Sequence, residues 1–94
     1  MPKWRDFERS LARKHGGRVQ PGSGSGPVNV GDVRTKHRLM EAKHTTKASF
    51  VLKLADLEKI ERRAAREGRK PVFAISFSGK VFYVLPEYVY EGED

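Results

Sequence analysis

Asp32, Glu41 and Lys43 stand in the pattern G-D-V-x7-E-A-K, within a chain whose formal net charge is +7. Val28 to Thr35 and Arg38 to His44 read as strands, with Lys36-His37 as the polar turn between them. Closing that hairpin symmetrically sets Thr35 opposite Arg38, Arg34 opposite Leu39, Val33 opposite Met40 and Asp32 opposite Glu41. The two acids then become neighbours. Side chains alternate along a strand, so Glu41 and Lys43 share one face while Met40, Ala42 and His44 share the other. Carboxylates placed opposite each other repel, by roughly 4 kcal/mol at ~4 Å in an effective dielectric of ~20, so a cation belongs beside them. Lys43 supplies one positive charge, and a hard, oxygen-seeking ion such as Mg²⁺ would supply more. The plain alternative is an acid-x-Lys tripeptide decorating a solvated sheet face.

A further carboxylate comes from the first segment. Residues 2 to 15 carry Trp4, Phe7, Leu11 and His15 at steps of three and four, the spacing of an amphipathic helix. Glu8 lies beside that stripe. It is either a stripe-edge residue whose head reaches water or, read together with Asp32 and Glu41, a third ligand for the same ion. The histidines offer less: His15 falls at a helix end, His37 in a turn, and His44 away from the Glu41 face. No spacing among them supports a zinc site.

Positioning these groups requires a small, solvated domain. Residues 1–94 are read as one domain, which at this size buries only about 60 to 65% of its potential surface. Its core is thin, and dimerisation would supplement it. Nineteen Lys and Arg against 12 Asp and Glu point to a polyanionic partner. Four of the acids lie at or beyond Glu87, in an acidic tail over 87–94 that is expected to fray. Without cysteine there are no disulfides and no thiolate metal sites. No apolar run approaches ~18 residues, and M-P-K-W-R-D does not read as a signal peptide. An intracellular, cytoplasmic protein with no membrane partner is expected, in a host cytoplasm if the chain is viral.

The remaining elements follow from turn signals and periodicity. Gly16-Gly17 ends the first helix, and Arg18 to Gln20 forms a short strand. The flexible stretch over 21–27, P-G-S-G-S-G-P, is neither a Walker loop nor a dinucleotide fingerprint, because no Gly-Lys-Ser/Thr closes it and a strand follows it. It is a surface loop, or one whose Ser23 and Ser25 hydroxyls meet a nucleic-acid phosphate. Phe50 to Leu52 is apolar and strand-like. Leu54, Leu57, Ile60 and Ala64 trace one face of a second helix, with Lys59, Arg62, Arg63 and Arg66 largely opposite, as a solvated outer face or a DNA patch, and Gly68 stops it. Val72 to Phe77 reads as a strand covered on both sides, turning at Ser78-Gly79 into Val81 to Leu85. Trp4, Phe50 and Tyr83 each lie on an apolar face and are read as core rather than as base-stacking platforms.

This order, α-β-β-β-α-β-β, resembles the PD-(D/E)xK nucleases, and within them the archaeal-type and phage-borne Holliday junction resolvases. The likeness runs over almost the whole chain. It is carried by Glu8-Arg9 in the first helix, the loop from Gly22 to Gly26, Asp32-Val33 before the hairpin turn, and Glu41-Ala42-Lys43 on the next strand. The K-H-T-T-K stretch, the helix before Gly68 and R-K-P-V-F-A-I-S-F add to it. Gly31 stands where the family has its proline, and Gln20 where these resolvases often place an arginine.

The resemblance implies an α/β, restriction-endonuclease-like core with a mixed sheet flanked by helices. It implies a Mg²⁺-dependent endodeoxyribonuclease, with Mn²⁺ as a substitute, that acts as a homodimer on branched DNA, above all the four-way junction. Asp32, Glu41 and the Ala42 carbonyl would hold the ion, with Glu8 binding directly or through water. Lys43 would orient the attacking water or stabilise the transition state. Arg9, Arg18, Lys36, Arg38 and Lys47, with Ser23 and Ser25, are the candidates for the DNA backbone. Two further readings stay open: a minimal nuclease of the same superfamily acting on flaps, nicks, ends or duplex, and a basic, non-catalytic DNA-binding module whose carboxylates are structural.

Overall fold

Hydrophobic alternation on the two central strands decides the architecture, because it gives each face of the sheet its own apolar set. The computed structural model describes residues 3–19 and 30–92. The 21–27 loop with Ser23 and Ser25, Gln20, the side chain of Trp4 and the last two acids of the tail lie outside the described residues. The elements are α1 (Lys3–His15), β1 (Arg18–Val19), β2 (Val30–Arg34), β3 (Arg38–Thr45), α2 (Leu54–Arg66), β4 (Lys70–Phe77), β5 (Lys80–Val84) and α3 (Glu87–Glu91). The strands form one five-stranded sheet in the order β1-β2-β3-β4-β5. Only the β3–β4 pair is parallel, joined through α2, which makes the sheet mixed.

The hairpin closes in the predicted register, with Asp32 opposite Glu41, Val33 opposite Met40 and Arg34 opposite Leu39. Its turn is held by Thr35, whose amide donates to the Arg38 carbonyl at 2.9 Å while its hydroxyl accepts from the Arg38 amide at 3.0 Å. Period-two alternation then sorts the side chains. Val33, Met40, Ala42, Val72 and Ala74 pack under Phe7, Leu11 and Ala12 of α1. Leu39, Phe73 and Ile75 pack under Ile60 and Ala64 of α2. Strand β4 lies between the two layers, which is why it reads as an unbroken apolar run.

Turn chemistry fixes where the helices point. Helix α2 ends in a Schellman arrangement: Gly68, at φ +67°, lets its own amide reach the Ala65 carbonyl at 3.2 Å and the Arg69 amide reach the Ala64 carbonyl at 2.8 Å. That termination sets Glu67 and Arg69 beside the β2–β3 hairpin. At Gly17 the chain passes so close to β2 that a Cβ would stand 2.5 Å from the Arg34 carbonyl oxygen.

Three expectations are corrected. Phe50 to Leu52 forms no strand; Phe50 instead tilts against Phe73 with ring centroids 6.2 Å apart, as a plug at the end of the α2-side core. The acidic end does not simply fray, because Glu87–Glu91 is the short helix α3 and its Val89 is fully buried. Tyr83 is not a core residue but a partly exposed one, edge-on to His15.

Candidate metal centre and basic cleft

Asp32 and Glu41 face each other across β2 and β3, and each is only 8% exposed. Both project to the α2 side, where cations converge on them. Arg63 of α2 donates to both Asp32 oxygens, Nη1 to Oδ1 at 3.4 Å and Nη2 to Oδ2 more closely. Arg34 shares the Asp32 face, two residues along β2, and its Nη1 lies 3.9 Å from Oδ2. Burial raises the Glu41 carboxyl above the usual carboxylate range and the charge of Asp32 adds to that, while Lys43, Arg63 and Lys59 oppose it. Lys43 therefore stands beside Glu41 on the same face, as alternation along β3 requires.

The charges continue as a chain of alternating sign. Arg34 forks onto Glu67 through Nε to Oε1 and Nη2 to Oε2, both at 2.8 Å. Arg69 donates to the same Oε1 at 2.6 Å and, through Nε, to the Thr35 carbonyl at 2.9 Å. The hydrogen bonds from Arg34 hold the Glu67 carboxyl below its ordinary range. Arg34, Arg69, Arg18 and Lys36 line one open cleft of about 550 Å³ that runs past Gly16 and Gly17. Fork-shaped guanidiniums in a solvent-open cleft are suited to phosphate oxygens.

The structure brings together Asp32, Glu41 and Lys43, and separately Arg18 and Lys36. It does not bring Glu8 to the acid pair. Glu8 is 2% exposed on the α1 side of the sheet, beside Phe7, Leu11 and Ala12, whereas the pair faces α2. Among the described residues no three His, Asp or Glu side chains group as a metal site. The reason lies in parity: α1 covers the even-numbered face of β3 and Glu41 is on the odd one. Arg38 also falls on the α1 side, in a shallow cleft with His15, Tyr83 and Tyr90. Arg9 is exposed on α1 and Lys47 is exposed beyond β3. The Ala42 methyl packs in the α1-side core and carries no ligand atom, so the candidate donor is its backbone carbonyl.

Arg63 corrects the helix reading, since it turns inward from what was expected to be a solvated side. Arg34, Glu67 and Arg69 were not singled out from sequence. Of these, Arg34 was open to inference, because a residue two places from Asp32 shares its face. No protein-family model matches the chain, and no curated protein matches it either. No helix among the described residues is long and apolar enough to cross a membrane.

Proposed function

We propose that this chain is a divalent-cation-dependent DNA endonuclease with a restriction-endonuclease-like core, closest in kind to the Holliday junction resolvases, and that its substrate is branched DNA such as a four-way junction. The observation that carries this reading is the register-paired, buried Asp32 and Glu41 with Lys43 beside them. Two desolvated carboxylates are a donor set for a hard cation, and the placement of the Arg63 guanidinium on Asp32 marks the position as cationic. The residues fit the ion.

Asp32, Glu41 and the Ala42 carbonyl are the groups that would hold Mg²⁺ or Mn²⁺. Such an ion, when bound, polarises a phosphate and makes a water more acidic. Lys43 keeps a fixed positive charge beside the reacting phosphate, where charge builds in the transition state; removing a preorganised group of this kind typically costs about 10²- to 10³-fold in rate. Arg18, Lys36, Arg34 and Arg69 position the DNA backbone along the cleft. Glu8 is left out of this set, because its helix covers the opposite face of the sheet from the pair.

Symmetric cutting of two opposed strands needs two such sites, and each chain carries one. A homodimer supplies both. The edge strand β5 and α3 leave Phe82, Tyr83, Tyr88 and Tyr90 exposed, and this surface is our candidate for part of the contact. A cytoplasmic location follows from the DNA substrate in this reading.

A second reading has an observation of its own. The Arg63–Asp32 pair satisfies that carboxylate within the protein, as it would in a non-catalytic DNA-binding module. The Glu41→Gln variant separates the two. The nuclease reading expects it to lose Mg²⁺-dependent cleavage while keeping DNA binding; cleavage retained at the wild-type rate contradicts the site.

A further inference from the structure

Arg63 sits on the Asp32 carboxylate, the group proposed above to hold the ion. Its guanidinium reaches both carboxylate oxygens. Arg34, the other guanidinium nearby, is held elsewhere by two 2.8 Å bonds to Glu67 and stays 3.9 Å from Asp32. Arg63 is thus a resident partner of Asp32 that grips both of its oxygens. Its helix is anchored independently, through Ile60 and Ala64 in the α2-side core. The Arg63 side chain can thus leave Asp32 without α2 moving.

We infer that Arg63 is a built-in competitor for the cation site: it holds Asp32 when the ion is absent, and a divalent cation binds Asp32 and Glu41 only by displacing it. The inference rests on the cation-site reading proposed above. Its physical basis is simple. A guanidinium and a divalent ion cannot share the same two oxygens, because both need the carboxylate charge and they repel each other. Metal affinity is then lowered by the fraction of molecules in which Arg63 is docked. Released, the guanidinium remains charged and becomes available to a phosphate, so metal loading and DNA engagement are coupled through one side chain. Arg63 is a positioning residue here, acting through Asp32.

The test is a titration of the whole chain with Mn²⁺ alone, followed by calorimetry, beside NMR of the arginine side chains during Mg²⁺ addition. Arg63→Met is expected to bind Mn²⁺ about tenfold tighter or more, the gain when the undocked fraction rises from about one tenth to all. Arg63→Lys keeps the charge but loses the fork, and falls between the two. Arg66→Met removes an exposed charge from the same helix and leaves the affinity near wild type. In the wild type, Mg²⁺ shifts the Arg63 guanidinium signals while those of Arg34 persist, a readout that needs no variant to fold. Equal or weaker Mn²⁺ binding by Arg63→Met overturns the inference. So does an Arg66→Met gain matching that of Arg63→Met, which would mean a general charge effect. If no variant binds Mn²⁺ at a site that Asp32→Asn removes, the cation reading itself falls, and this inference with it.

Discussion

At the scale of single residues, Asp32 and Lys43 should fail in different ways. In the proposed site Asp32 donates to the ion, so Asp32→Asn should lose Mn²⁺ binding and cleavage together. Lys43 is proposed to act on the reacting phosphate, so Lys43→Ala should keep the Mn²⁺ affinity while the cleavage rate falls by about 10²- to 10³-fold. Calorimetry with single-turnover cleavage distinguishes these outcomes, and an equal loss of metal binding in both variants would show the roles to be misassigned. The pairing of Asp32 with Glu41 was legible because a two-residue turn and strict alternation leave one register. The inward turn of Arg63 was not legible. Helical periodicity names the apolar stripe, but a long side chain on its flank can reach either water or an acid on the sheet beneath. Where Glu8 stands relative to the pair was not legible either, because nothing in the hairpin itself tells which of its faces α1 will cover.

At the scale of elements, α1 is tied to the far edge of the sheet by His15. Its Nε2 shares a 3.1 Å hydrogen bond with the Tyr83 hydroxyl, and the rings meet edge-on. Burial first, and then Arg38 and Lys14, lower the His15 pKa from its ordinary 6.5. The unfolded chain therefore takes up a proton near its normal pKa while the folded one resists it, so stability is complete above that value and declines as pH falls below it. Denaturant melts between about pH 7 and 5 should show the wild type losing more stability than His15→Gln; parallel pH profiles would contradict the assignment. Most element types were readable from periodicity and turn residues. Helix α3 was not, because a five-residue acidic segment has little helical signal of its own and forms around one buried residue, Val89. Phe50 misled in the opposite sense, since an apolar triplet can plug a core end without pairing as a strand.

At the scale of the whole molecule, the basic surplus should govern binding. If the cleft residues neutralise phosphates, log affinity should fall linearly with log salt, with a slope of about −0.9 for each contact. Fluorescence anisotropy across a salt series measures it, and a salt-independent affinity would contradict the cleft. The central claim is cleavage of branched DNA by a two-fold dimer. Its most direct test is a synthetic four-way junction incubated beside its linear duplex, with and without Mg²⁺, while light scattering follows the mass of the free and bound protein. A dimer is expected that cuts opposed strands of the junction only when Mg²⁺ is present and leaves the duplex largely intact. A monomer that binds both DNAs and cuts neither with Mg²⁺ would contradict it.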